Sequence, residues 1–210
     1  MTPPTNRIPG WALLSATAAP VALIGGWAIA GHLQPAGYSL TRQTISSLAA
    51  HGARERWVMT AGLVLLGLCH LITAAGLRPA HPVGRATLAT GGLATLAVAA
   101  FPQPRSGTAV THITAATIGF LALAVWPVLA ARGVRDRLLT VSVSATASAS
   151  LLGLLTWLTV ALHTGYLGLA ERCLTGAQAL WPLAVAVNVR QIALPLRLDP
   201  QPESASGDAA

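Results

Sequence analysis

Three short polar stretches carry nearly all the reactive side chains of this chain. The first contains Tyr38, Ser39, Arg42 and Ser46, and ends at His51. The second runs Phe101-Pro102-Gln103-Pro104-Arg105-Ser106-Gly107 and leads to His112. The third reads His-Thr-Gly-Tyr-Leu-Gly-Leu-Ala-Glu-Arg-Cys from His163, placing Glu171 and Arg172 side by side. Imidazoles with a carboxylate suit proton transfer. Where three of them converge with a carboxylate, they suit zinc-activated water. Guanidiniums hold phosphate through paired N–H donors. Neither HExxH nor HxxxH occurs, so a metal centre would rest on tertiary packing alone. No metal and no cofactor are expected. Ser39, Ser46 and Ser47 lie near His51, but no GxSxG elbow accompanies them.

The elements that must position these groups are apolar. Between Leu138 and Ala170 there is no Asp, Glu, Lys or Arg. That run exceeds the roughly 20 residues needed to cross a hydrocarbon core of about 30 Å. Comparable stretches predict spans at 11–32, 57–77, 84–101, 110–131, 138–162 and 174–194. Only 9% of the residues are charged, against about 25% in a soluble domain, so the surface faces lipid. Barrel strands do not fit runs so long and uniformly apolar. The expected fold is all-α: a polytopic bundle of six transmembrane helices. Polar tails flank it at 1–10 and 195–210, the latter disordered. The run from Trp11 to His32 is longer than a signal-peptide core and is read as a retained span.

All 13 basic residues are arginine. With the N-terminus inside, the inner segments hold Arg7, Arg78, Arg85, Arg132, Arg135, Arg137, Arg190 and Arg197. The outer segments hold Arg42, Arg54, Arg56, Arg105 and Arg172. The larger inner set favours N-in, C-in, which puts all three polar stretches on the outer face. The arginines stand mostly at span ends with no interleaved aromatics, so nucleic acid is excluded as a partner. Cys69 and Cys173 read as small apolar fillers rather than a disulfide. Small residues such as Gly62, Gly67, Gly91, Gly92, Ser144 and Ser148 allow close helix approach. Thr156, Thr159 and Thr164 are expected to bond back to their own helix.

Within the first outer stretch, Ile45, Leu48 and Ala49 recur at helical spacing. They predict a short interfacial helix, started by Ser39 or Thr41 and ended by Gly52. Neighbouring residues on a helix face different ways, so Glu171 and Arg172 need separate partners. Arg42 is the candidate partner for Glu171, in an ion pair that would pin the bundle mouth. His70 lies inside the second span, where an ionisable group is a functional hypothesis by default.

The stretch Tyr38-Ser39…Arg42-Gln43-Thr44-Ile45-Ser46-Ser47-Leu48, with Trp57 opening the next span, resembles a bacterial membrane family of six helices, domain of unknown function 998. His112 and Gly168-Leu169-Ala170-Glu171-Arg172 share that resemblance, which covers roughly residues 11–194. It implies an integral membrane fold without an established activity. In that family the position of Ser47 is usually acidic and that of Ala49 often glycine; this chain departs at both.

The favoured function is a structural, partner-binding or lipid-contacting module of the bacterial plasma membrane. Its partners would be membrane lipids or another membrane protein. One alternative is an enzyme acting on a lipid-linked or phosphorylated substrate, with Arg42, His112, His163 and Glu171 as its working set. The other is a small-solute transporter. The outer-face polar cluster carried forward is Tyr38, Ser39, Arg42, Ser46, His51, His112, His163, Glu171 and Arg172.

Overall fold

The computed structural model describes residues 8–104, 109–132 and 137–192. The tail expected at 195–210, most of that at 1–10, and the loop arginines Arg105 and Arg135 lie outside these residues. The elements are α1 (Gly10–His32), α2 (Ile45–Leu48), α3 (Arg56–Gly76), α4 (Pro82–Ala100), α5 (Val110–Ala130), α6 (Val141–Ala161) and α7 (Leu167–Ile192). A single 3₁₀ turn at Arg137–Leu139 precedes α6. Among the described residues there is no strand.

Helices follow from the solvent these runs demand. In hydrocarbon each backbone N–H and C=O must be satisfied within its own segment. Five helices, α1, α3, α4, α5 and α6, are long and apolar enough to cross a membrane. Leu14, Val21, Leu65, Leu93, Leu121 and Val160 stand exposed on their outer faces while other apolar residues fill the core. A helix apolar all round suits a lipid-facing span. The chain is therefore a multi-pass helical membrane protein. The sixth expected span falls on α7, whose Glu171, Arg172, Gln178, Asn188 and Arg190 make it more polar. It also starts at Leu167 instead of residue 174, because the two charges belong to the helix rather than to the loop before it.

The six long helices close a ring. Along the chain α1 packs on α3, α3 on α4, α4 on α5, α5 on α6 and α6 on α7, and α7 returns to α1. Close approach depends on small residues. A Cβ on Gly67 would lie 2.8 Å from the Gly92 carbonyl oxygen, and one on Gly92 equally close to that of Gly67, so α3 and α4 touch backbone to backbone. Pro127 interrupts α5, and the following Val128 N–H donates to Ser148 Oγ of α6 at 3.1 Å. A neighbouring helix thus re-satisfies a donor displaced by proline. Thr156, Thr159 and Thr164 do bond back to carbonyls of their own segment.

The end carrying α2 is the mouth; the opposite end is the base. The base is an apolar cluster that includes Leu77, Leu88, Leu123, Trp126 and Val185. At the mouth α2 enters the ring instead of lying across it: Ile45 and Leu48 are 2% and 1% exposed. Its cap is Thr44, whose hydroxyl accepts from the Ser47 N–H at 3.1 Å, not Ser39 or Thr41. Those two hydroxyls bond to each other at 2.9 Å, a turn earlier in the loop. Gly52, with φ of +94°, turns the chain toward α3.

Candidate functional site

Glu171 and Arg172 stand in the first turns of α7, 5% and 9% exposed. Each grips a different part of the segment leading into α2. Arg172 Nη1 donates to the carbonyls of Leu40 at 2.7 Å, Gln43 at 2.8 Å and Gly168 at 2.9 Å. Its Nη2 donates to the Tyr38 hydroxyl at 2.7 Å, and the guanidinium carbon lies 6.0 Å from the centre of the Trp27 ring. Burial raises the Tyr38 phenol above its ordinary value of 10.0 despite the opposing pull of Arg172, so the phenol is neutral. Glu171 accepts from the Ile45 N–H and from Ser46 Oγ, the latter at 3.3 Å. One charge therefore holds carbonyls and the next holds N–H and O–H groups. The Leu169 N–H adds a bond to the Thr41 carbonyl at 3.0 Å.

Gly168 makes this contact possible. A Cβ there would collide with the carbonyl oxygens of Gln43 and Leu40. The Gly-Leu-Ala-Glu-Arg run thus encodes one device: a bare backbone surface, followed a turn later by the two groups that bind what rests on it.

The expected ion pair between Arg42 and Glu171 is replaced by this arrangement. Arg42 is exposed in the loop, and the Glu171 carboxylate is committed to α2. The polar residues do not gather into one group. Tyr38, Ser46, Glu171 and Arg172 meet at the clamp. His112, 3% exposed, bonds through Nδ1 to the Phe101 carbonyl at 2.8 Å and ties the start of α5 to the end of α4. His51 joins the first two loops, its N–H donating to the Gln103 carbonyl at 2.9 Å and its ring lying 3.3 Å from Arg56 Nη1. Ser39 and Arg42 stay in the loop surface, and His163 stands exposed in the turn after α6. Among the described residues no three His, Cys, Asp or Glu side chains gather as a metal-ligand set. Both cysteines are free.

Two cavities meet at the clamp. The first lies inside the ring beneath α2, about 50 Å³ in volume, and reaches from Ser46 and Glu171 past Thr175, Thr95 and Gln178 to His70. The second is a lateral groove of about 480 Å³ between α5, α6 and α7. Its polar end holds Thr44, Gln103, His112 and Glu171; its walls are Leu121, Leu155, Leu158 and Leu162. Ser46, Ala116, Phe120 and Glu171 border both spaces. Thr175 and Gln178 went unrecognised in the sequence, although Glu171, Thr175 and Gln178 recur at i, i+4 and i+7, one helix face.

Fold and site define a multi-pass helical membrane protein whose mouth is closed by a clamped inward segment. A family model described as Protein of unknown function (DUF998) matches residues 16–188, and the chain belongs to that family. No curated protein and no solved structure matches it.

Proposed function

We propose that this chain is a lipid-contacting module of the bacterial plasma membrane, with α7 as a sixth span and both termini inside. It holds one lipid chain in the lateral groove. The observation that carries this reading is the groove's polarity gradient. Five leucines line it, and a hydrogen-bonding end of Thr44, Gln103, His112 and Glu171 closes it. Its volume of about 480 Å³ falls in the range of small-molecule sites, about 300–1,000 Å³. Its rim residues Ile113, Leu121 and Leu162 are exposed on the outside of the bundle, where lipid rather than water surrounds the helices.

The described lining contains no arginine. Both Nη atoms of Arg172 are taken by the clamp. Apart from the Gln103 amide, the polar end is built from acceptors and hydroxyls and has no cation, which favours an uncharged hydroxyl headgroup, such as a free glycerol or polyprenol hydroxyl, over phosphate. With α7 as a span of 26 residues, its length at 1.5 Å per residue is ample for the bilayer.

The test is photocrosslinking in proteoliposomes with a diazirine-bearing diacylglycerol, followed by peptide mapping. Labelling at Leu155, Leu158 or Leu162, abolished by Leu158→Trp with the melting temperature unchanged, supports the groove. Labelling that Leu158→Trp leaves intact contradicts it.

A further inference from the structure

The cavity inside the ring contains an imbalance of hydrogen-bonding groups. His70 is 1% exposed, and neither ring nitrogen has a partner. Gln178 is 1% exposed; its Nε2 donates to the Phe120 carbonyl at 2.9 Å, and its Oε1 has no donor. The remaining hydroxyl protons are already used. Thr95 donates to the Gly91 carbonyl at 2.8 Å, Thr175 to the Glu171 carbonyl at 2.8 Å, and Ser46 to the Glu171 carboxylate at 3.3 Å. The cavity therefore offers the carboxylate, the amide oxygen, three hydroxyl oxygens and one imidazole nitrogen as acceptors. Against these it has two free donors, one N–H of the His70 ring and the second amide N–H of Gln178. A buried polar group without a partner costs about 1–3 kcal/mol, and such groups in native proteins call for an explanation. The occupant must donate more than it accepts and must be small.

We propose that this cavity binds a short chain of water molecules that connects Glu171 at the mouth with His70 in the middle of the ring, and gives His70 proton exchange with the mouth side. A volume of about 50 Å³ holds about three to five waters at the roughly 10–15 Å³ each one requires. Glu171, Thr175 and Gln178 lie on one face of α7, and seven residues of helix span about 10 Å. That is the length of such a chain. Each water supplies two protons to an acceptor-rich wall.

Proton passage is balanced along this line. A proton arriving from the mouth first forms an O–H bond on the Glu171 carboxylate. That bond breaks as the adjacent water gains a proton, and each water passes one of its own protons onward. The last water's O–H bond breaks as an N–H bond forms at the unprotonated nitrogen of His70, which returns a ring proton by the reverse path. The groups facing the cavity are Ser46 of α2, His70 of α3, Thr95 of α4, and Glu171, Thr175 and Gln178 of α7, with Arg172 behind Glu171. From α1 and α5 only Leu23, Ala116, Gly119, Phe120 and Leu123 face it. Below His70 lie the buried Thr73 hydroxyl, which donates to Ser15 Oγ at 3.2 Å, and then the apolar cluster around Leu88, Leu123 and Trp126.

The experiment uses the full chain in nanodiscs, labelled with ¹⁵N-histidine. His70→Gln assigns the His70 signals by their loss. The rate at which the His70 ring N–H exchanges with solvent is compared between wild type, Thr175→Val and Gln178→Met. Each variant removes a cavity acceptor at nearly constant volume, and a melting curve checks that each still folds. Slowing of His70 exchange by about an order of magnitude in either folded variant, with His51 and His163 unchanged, supports the water chain. Equal rates in wild type and both variants overturn it, whether those rates are fast or slow.

Discussion

The mouth and the base of this bundle solve the same problem by different means. At the base, Leu77, Leu88, Trp126 and Val185 pack with no exposed surface, and Arg85 stands half-buried at its edge. Arg85 there caps the end of α3, donating to the carbonyls of Ala74 at 2.8 Å and Ala75 at 2.9 Å. At the mouth two charges are buried outright and spent on an inserted segment. Apolar contact has little preference among partners in lipid, because lipid tails are as apolar as leucine. Directed bonds from Arg172 and Glu171 hold one segment in one register. The base fixes the ring; the mouth fixes what enters it.

The largest expected effect is at Arg172. Arg172→Ala leaves three carbonyls and the Tyr38 hydroxyl without their donor, each worth about 1–3 kcal/mol when buried. Thermal melting in detergent should drop steeply, and proteolysis should become fast between Tyr38 and Leu48. Leu88→Ala comes next, at about 2–5 kcal/mol for a buried leucine. It should lower the melting temperature while leaving the mouth segment resistant to protease. If both variants expose that segment equally, mouth and base are one cooperative unit and the contrast fails.

Gly168→Ala follows. Its methyl must push aside the backbone at Gln43 and Leu40, at about 1–3 kcal/mol for an overpacked site. The damage should again be confined to the mouth, read as faster hydrogen exchange at Ile45 to Leu48. The smallest effect concerns pH. Burial raises the Tyr38 phenol above 10.0, so the folded state favours the neutral form. The stability this contributes is complete below pH 10 and disappears as pH rises through the raised value. Tyr38→Phe should therefore flatten the alkaline limb of the melting-temperature profile; an unchanged limb would show that the phenol does not contribute.

Much of the fold could be read from composition. Lipid exposure leaves a long charge-free signal, and the starts of the first five long helices were placed within three residues of those observed. The start of α7 was misplaced because buried charges in a first turn look like a loop. The short helix at Ile45 was legible from its spacing, but its cap was not. Ser39, Thr41 and Thr44 are equally good capping residues, and tertiary contact chose among them. His112 and Glu171 are legible in the sequence as candidate side chains, though not the partners they bond. The exchange of Arg42 for Arg172 at the mouth was not legible, since a sequence shows the donors but not the carbonyls that the fold brings to them. The role of Gly168 is not legible for the same reason: its meaning is the backbone resting on it.

The clamp itself is tested most directly by the reactivity of a cysteine on the inserted helix. In a Cys173→Ser background, Leu48→Cys is treated with a membrane-impermeant maleimide in intact vesicles, and Leu88→Cys reports on global unfolding. Leu48→Cys should stay unlabelled alone and with Arg42→Ala, and become labelled with Arg172→Ala while Leu88→Cys remains protected. Labelling released by Arg42→Ala, or protection that survives Arg172→Ala, would contradict the account.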